Sequence, residues 1–560
     1  MWRFLAILLA ATTLKILFIF SYHSTDFEVH RNWMALTHTL PISRWYFEST
    51  SKWTLDYPPL FAWFEWMLSQ IAVLFDPEMC VISESAYVSQ NAVIFQRFSV
   101  ISTEFLLFFA LWRLCAVLSG SANNVMKRRF LPTAMFLAFN FGLFVIDHIH
   151  FQYNGFLFGI LFLSGAFLVN ENYVMAAVCF TVLLNMKHIF IYVAPVYLVF
   201  ILFNYCLCEF EFITTNRLLA PSHRPLLLFA TKLVKVGTAV LVVTFLSFGP
   251  FLSESQLRQI FARLFPFERG LTHAYWAPNV WAVYNTLEKL LCSLNIFVQF
   301  WPQLNTTVAS MTGGLVGQIN HVVLPNIRPL HTVTLTLSFM LPSLIRCTVK
   351  SSAFGSLQAS TRYTEYLTAL IGAAWSSFLF GWHVHEKAVL MVLLPLNLLA
   401  IAVPKYSSLA FYVTTLGHFS LIPLIPTLAE TPAVVSTFLA FTSLHWLILF
   451  RLHQTGTPPA NPKTMVKPNA FVASLARTHL LGLIPLYVCC FFIWPLTNLR
   501  ERLPFVPLLA TSVYTALGLC FAFIYFLYMS TFSPWKPVPV ATAMEKSISS
   551  RKKNKKLKTQ

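Results

Sequence analysis

Hydrophobic residues in this chain come in runs of about 14 to 25, broken by short polar stretches, with no sustained strand-like alternation. A bilayer core about 30 Å thick takes a helix of about 17 to 25 apolar residues. The pattern therefore predicts about fourteen spanning helices: 3–22, 98–118, 131–146, 154–169, 173–186, 189–208, 232–252, 327–349, 364–381, 387–403, 407–428, 433–452, 476–496 and 506–530. With the N-terminus placed in the cytosol and sides alternating, one set of loops collects "MKRRF" (126–130), Arg217 with Arg224, Lys350 with Arg362, Lys463 with Lys467, and the tail "RKKNKKLKTQ". This is the charge bias of cytosolic loops. The opposite side receives the long segments 23–97 and 253–326, together with "DHIHFQYNG" (147–155) and "GWHVHEK" (381–387). Every cluster of unusual polarity thus falls on one face.

The run "LFAWFEWMLSQIAVLF" (60–75) imitates a span but carries Glu65 and Gln70 among its tryptophans and phenylalanines. It reads as an interfacial helix, because a crossing here would move every later loop to the wrong side. The first run, 3–22, is long and is followed by no small-residue cleavage site, so it reads as a retained span, with Lys15 facing other helices.

Composition agrees: 57% of the 560 residues are hydrophobic and 11% are charged, against about 25% charged in soluble domains. The net charge of +18 is dispersed among short loops and the tail, which fits membrane orientation and excludes nucleic acid as the expected partner. The ten cysteines are scattered through apolar segments without metal-ligand spacing and read as core residues. Asn305, in "NTT", is a glycosylation sequon on the polar face.

On that face, Thr25-Asp26-Phe27-Glu28 has the form of a capping box, which would open a helix at Asp26. Asp26 and Glu28 then either serve a site or only offset the helix dipole, with Arg31 pairing to Glu28. Asp56 precedes Tyr57-Pro58-Pro59, a stiff corner that can hold an acid or turn the chain into the interfacial helix. "DHIHFQYNG" brings Asp147, His148, His150, Gln152 and Asn154 to a span end. The two histidines are two residues apart with no third ligand at zinc spacing, so hydrogen bonding to sugar hydroxyls is expected ahead of metal. In "GWHVHEK", His385 and Lys387 suit a phosphate, or Trp382 and Lys387 anchor an interface. His273 and Trp276 lie in "FPFERGLTHAYWAPN", a mixture of rings and amides of the kind that holds sugars. There is neither a Gly-rich phosphate loop nor a Ser-His-Asp order.

"STDFEVHRNW", "WTLDYPPLFAWFE", "DHIHFQYNGFLFG", "RLFPFERGLTHAYWAPN" and "FGWHVHEKA" resemble, nearly word for word, the Alg6/Alg8 family of dolichyl-phosphate-glucose-dependent glucosyltransferases of the endoplasmic reticulum. The first and fourth look like the Alg8 branch. The resemblance implies an all-α, multispanning GT-C-type fold: one catalytic membrane domain over 1–530, with lumenal loops at 23–97 and 253–326, and a basic cytosolic tail at 531–560. It implies an α-1,3 transfer of glucose from dolichyl phosphate glucose to Glc1Man9GlcNAc2-PP-dolichol, the second glucose of the oligosaccharide. The active site would be lumenal and both termini cytosolic. Lys556 to Gln560 resembles a K-x-K-x-x retrieval signal.

On this reading Asp26 is the catalytic base and Asp56 the second choice. His385, Lys387 and Arg31 are expected at the donor phosphate, and His150, Gln152, Asn154, His273 and Trp276 at the acceptor or sugar. A β-linked donor giving an α product requires inversion in one displacement. Phosphate leaves well without an acid, so one base suffices. No metal or other cofactor is expected, and a monomer is expected. The alternatives are the first glucosyltransferase of the pathway, acting on Man9GlcNAc2-PP-dolichol, and a transporter, which would carry polar groups at the midplane of broken, repeated spans.

Overall fold

In the computed structural model, residues 2–120, 132–207, 224–298, 317, 320–351, 359–455 and 470–531 are described. Asn305, the 531–560 tail beyond Thr531, and several of the basic loop residues lie outside them. The described chain is helical almost throughout, with one isolated parallel bridge, Thr272 to Val384. Eight helices are long and apolar enough to cross a membrane, among them Gln90–Leu118, Pro132–Phe151, Leu226–Phe251 and Val506–Thr531. The shorter apolar helices Asn154–Val169 and Tyr173–Met186 occupy two further expected spans. Among the described residues, helix falls within each of the fourteen expected segments. The chain is a multispanning membrane protein, nearly all helix over its described residues.

The helix after the first span begins one residue earlier than the capping-box reading has it. Ser24 is the N-cap of α2 (Thr25–Thr39), its Oγ accepting from the Asp26 N–H at 3.1 Å. Glu28 therefore falls one position too late to close a capping box. It accepts instead from Arg31 Nε at 2.8 Å and from the Tyr87 N–H at 3.1 Å.

Prolines 58 and 59 start α3 (Pro59–Phe75), which packs on α2. Here the expected interfacial helix proves inverted relative to a soluble amphipathic one. Glu65 is fully buried and bonded to His30 at 2.6 Å, whereas Trp66, Met67, Ile71, Leu74 and Phe75 are exposed. An outward apolar face suits a helix resting in lipid at the membrane boundary.

Lys15 does face other helices. It is buried in α1 (Trp2–Leu17) and donates to Glu104 of α4 (Gln90–Gly120) at 2.5 Å, where His148 also meets Glu104 at 3.1 Å. The nine cysteines among the described residues are unbridged.

Two extramembrane segments far apart in sequence close over α2. Helix Glu254–Leu264 docks on the first loop through Gln256 Nε2 to Ser43 O (2.6 Å), Gln259 Nε2 to Tyr46 O (3.0 Å) and Arg263 Nη1 to Thr54 Oγ1 (2.9 Å). The chain beyond it pairs with "GWHVHEK": the His383 N–H donates to Leu271 O at 2.9 Å and Trp281 Nε1 to Gly381 O at 2.9 Å. Arg97 ties the remaining parts together, its Nη2 donating to Tyr22 O and Ile149 O, each at 2.9 Å.

Candidate active site

Asp26 is the point where these segments converge. Its Oδ2 accepts from Lys387 Nζ at 2.7 Å and from Gln152 Nε2 at 2.7 Å, and His150 Nδ1 lies 3.5 Å away. Lys387 is 361 residues distant in sequence. The acid of the first loop thus meets Lys387 of the 381–387 segment.

Local backbone geometry delivers each partner. The span Pro132–Phe151 ends in a π-helical stretch, Phe144–Phe151, and Phe151 sits at φ 91°. A β-carbon makes this conformation costly, and such strain persists only where the surroundings over-determine it. Phe151 is fully buried against Phe27 and His30, whose ring is also enclosed by Trp33, Tyr57, Phe61 and Tyr153. The kink turns Gln152 toward Asp26. On the other side His383 has φ 51°, and its Nδ1 donates to Gly270 O at 3.0 Å, aiming the chain that carries His385 and Lys387.

A relay of hydrogen bonds sets the orientation of the amides. Asp147 accepts from the Gly155 N–H at 2.6 Å and from Asn154 Nδ2 at 2.8 Å. Asn154 Nδ2 also donates to Gln152 Oε1 at 2.9 Å. With its oxygen so engaged, Gln152 can present only its NH₂ group to Asp26. Ser24 Oγ donates to His150 O at 2.7 Å and meets His150 Nδ1 at 2.6 Å. The hydroxyl has one proton and spends it on the carbonyl, so His150 Nδ1 is the protonated nitrogen.

Burial opposes a charge on Asp26. The nearby Lys387 and His150, with the hydrogen bonds from Lys387 and Gln152, outweigh it and hold the carboxyl well below the usual carboxylate range. Asp26 is thus an ionised carboxylate that can accept a proton at any physiological pH.

The second acid stands apart. Asp56 reaches Arg269 at 3.5 Å, and burial raises its pKa against the pull of that guanidinium. Between the loops, the His273 and His385 rings stack with centroids 4.0 Å apart, and His273 Nδ1 is 3.8 Å from Glu386 Oε2. Burial pushes His273 down to about 4 and His385 well below its ordinary value. Both are neutral imidazoles near pH 7, each with one N–H to donate. Among the described residues, His273, His385 and Glu386 are the set whose ligand atoms lie close enough together, within 4.8 Å, to hold a metal ion.

Two expected site residues are employed elsewhere. Arg31 is fully buried, with Nη1 donating to Met79 O at 2.9 Å and Val81 O at 2.8 Å and Nη2 on Glu28 at 2.7 Å, so it staples the first loop and does not face Lys387. The bland reading of Glu28 and Arg31 holds. Trp276 packs against Ala282 and Ala516 in a separate small core. Gln152, Asn154 and His150, expected on a sugar, orient the Asp26 carboxylate. Lys187 was missed. Its Nζ lies 3.5 Å from Asn154 Oδ1 and 5.1 Å from the centre of the Tyr57 ring. The signal was available: a lysine in the two-residue break between apolar runs 173–186 and 189–208, on the polar-cluster side of the alternation.

Comparison with known proteins places the chain among glycosyltransferases. The chain is 44% identical over 522 residues to a Mus musculus protein named dolichyl pyrophosphate Glc1Man9GlcNAc2 alpha-1,3-glucosyltransferase, covering 93% of this chain and 94% of that one. A Drosophila melanogaster protein with the same name, qualified as probable, is 41% identical over 98% of both chains. A Schizosaccharomyces pombe protein of that name is 38% identical over 93% of this chain and 97% of its own. The model of the ALG6, ALG8 glycosyltransferase family matches residues 11–526, a stretch that takes in Asp26, Gln152, Lys187 and Lys387, and the chain belongs to that family.

Proposed function

We propose that this protein transfers glucose from dolichyl phosphate glucose to the lipid-linked oligosaccharide Glc1Man9GlcNAc2-PP-dolichol, forming an α-1,3 bond with inversion at the lumenal face of the endoplasmic reticulum membrane. The termini are cytosolic and the enzyme acts as a monomer. The observation that carries the reading is the junction of the ionised Asp26 carboxylate with the Lys387 ammonium at 2.7 Å, a base and a phosphate-binding cation side by side where an apolar domain meets water.

The chemistry follows from that junction. The acceptor hydroxyl attacks the anomeric carbon from the face opposite the phosphate, and Asp26 takes its proton. A carboxylate of low pKa is a weak base, but two effects help it. Oxocarbenium character in the transition state acidifies the attacking hydroxyl late in the reaction. The donor phosphate also competes for Lys387, and every share of that ammonium it takes raises the basicity of Asp26. The leaving phosphate is met by Lys387 and by the neutral His385 N–H, donors fixed before the reaction begins.

Purified protein given synthetic dolichyl phosphate glucose and acceptors bearing no glucose or one is expected to extend only the singly glucosylated acceptor. Turnover confined to the unglucosylated acceptor would instead make it the first glucosyltransferase of the series. The reaction is also expected to run at full rate in excess chelator, since a monophosphate leaving group can be neutralised by ammonium and imidazole groups alone. Loss of activity restored by added zinc or manganese would place an ion on His273, His385 and Glu386 and overturn the metal-free mechanism.

A further inference from the structure

Lys187 is a cation near the relay that, among the described residues, is held in no ion pair. It follows helix Tyr173–Met186 at its C-terminus, with its ammonium beside the Tyr57 ring and Asn154. Among the described residues its ammonium makes no ion pair within 4.0 Å. Its hydrogen-bond partner, Asn154 Oδ1, stands at 3.5 Å, the limit of a hydrogen bond. Asn154 belongs to the relay that ends on Asp26, so Lys187 stands at one end of the relay and Lys387 at the other.

Like charges gathered in a poorly hydrated place are costly unless an anion joins them. Lys387 already shares its charge with Asp26; Lys187 has no such partner. We infer that Lys187 is a binding group for the phosphate of the lipid-linked donor, sharing it with Lys387 from the other end of the relay. This deepens the proposed function and rests on it.

The electrostatics agree. Burial, and after it the charge of Lys387, draw Lys187 down to about 8, while Asp26, Asp147 and Asp56 pull the other way. His188 and Tyr57 are the remaining titratable groups beside it. A group so placed is cationic at pH 7 and loses its proton as pH rises through about 8. Donor affinity should therefore fall on the alkaline side, and an arginine, which keeps its charge, should move that limb upward.

The test uses the full-length enzyme in nanodiscs. Lys187→Met should raise the KM for dolichyl phosphate glucose about 10²-fold, with the KM for the oligosaccharide acceptor much less affected. It should also abolish the thermal stabilisation conferred by dolichyl phosphate, the sugar-free product. Lys187→Arg should recover part of both and shift the alkaline limb to higher pH. Since the methionine removes a charge that burial disfavours and no ion pair holds, the variant without ligand should melt no lower than wild type. A methionine variant with wild-type donor KM and undiminished stabilisation by dolichyl phosphate would overturn the inference. A wild-type enzyme that is stabilised by dolichyl phosphate yet fails to transfer glucose would overturn the proposed function and leave this binding site standing.

Discussion

Asp26→Asn is expected to lower kcat by about 10²- to 10⁴-fold, the range that a positioned general base contributes, while leaving both KM values and the melting temperature near those of wild type. The amide is almost the same shape as the carboxylate. It can still accept from Lys387 and Gln152, which reach Oδ2 at 2.7 Å each, so the relay survives and proton acceptance alone is lost. Measured turnover of the Asn variant with saturating donor and acceptor is the check. Asp56→Asn supplies the comparison. Its carboxylate meets Arg269 at 3.5 Å at the rim, so its loss should act on loop closure and substrate KM ahead of kcat. Wild-type kcat in Asp26→Asn, or a deeper loss in Asp56→Asn, would transfer the role of base to the other acid.

The second large effect concerns stability. Glu104 is buried with Lys15 at 2.5 Å and His148 at 3.1 Å, the carboxylate and ammonium side chains 3% and 4% exposed. Glu104→Ala leaves the Lys15 ammonium stranded among apolar side chains, an error that costs about 3–5 kcal/mol in buried pairs. The paired change Lys15→Met with Glu104→Leu removes both charges and should recover most of that loss, because forming a buried ion pair repays little more than the desolvation of its members. Thermal unfolding of the purified single and double variants measures the difference. Equal destabilisation in the two would mean that the charges are not coupled. Activity should suffer in parallel in the single variant. His148 lies two residues before His150 on the π-helical stretch, and Gly155 is packed so closely on Glu104 that a β-carbon there would come within 2.8 Å of Glu104 Cγ.

The spans were legible from the periodicity of apolar runs, because a chain in lipid has one way to satisfy its backbone and announces it by length. The shared face of the polar clusters followed from the same alternation. Sequence patterns gave less help with the division of labour inside the site. "STDFEVHRNW" contains two carboxylates and a guanidinium, and nothing local tells that Asp26 points to a residue 361 positions away while Glu28 and Arg31 are absorbed in holding the loop to Met79 and Val81. The capping-box spacing favours Thr25 as N-cap, whereas Ser24, the better N-cap residue by type, takes the position and is bound by His150 from across the fold. Gln152 and Asn154 have the chemistry of sugar ligands, and their use as a brace depends on Asp147 and on the kink at Phe151, neither of which has a sequence signature. Lys187 escaped notice because a single lysine at a break between apolar runs looks like an anchor.

The outward greasy flank of α3, with Trp66, Met67, Ile71, Leu74 and Phe75 uncovered beside a buried Glu65, has the form of a float. Seated in a bilayer surface, it would set the height at which the chemistry is performed. A substrate whose reactive head is tethered to the bilayer arrives at a fixed altitude, and a catalyst that rides the same waterline meets it without lifting its tail out of the oil. Membranes of unequal thickness would then change how far the long spans tilt, while the reaction plane stays level with the surface.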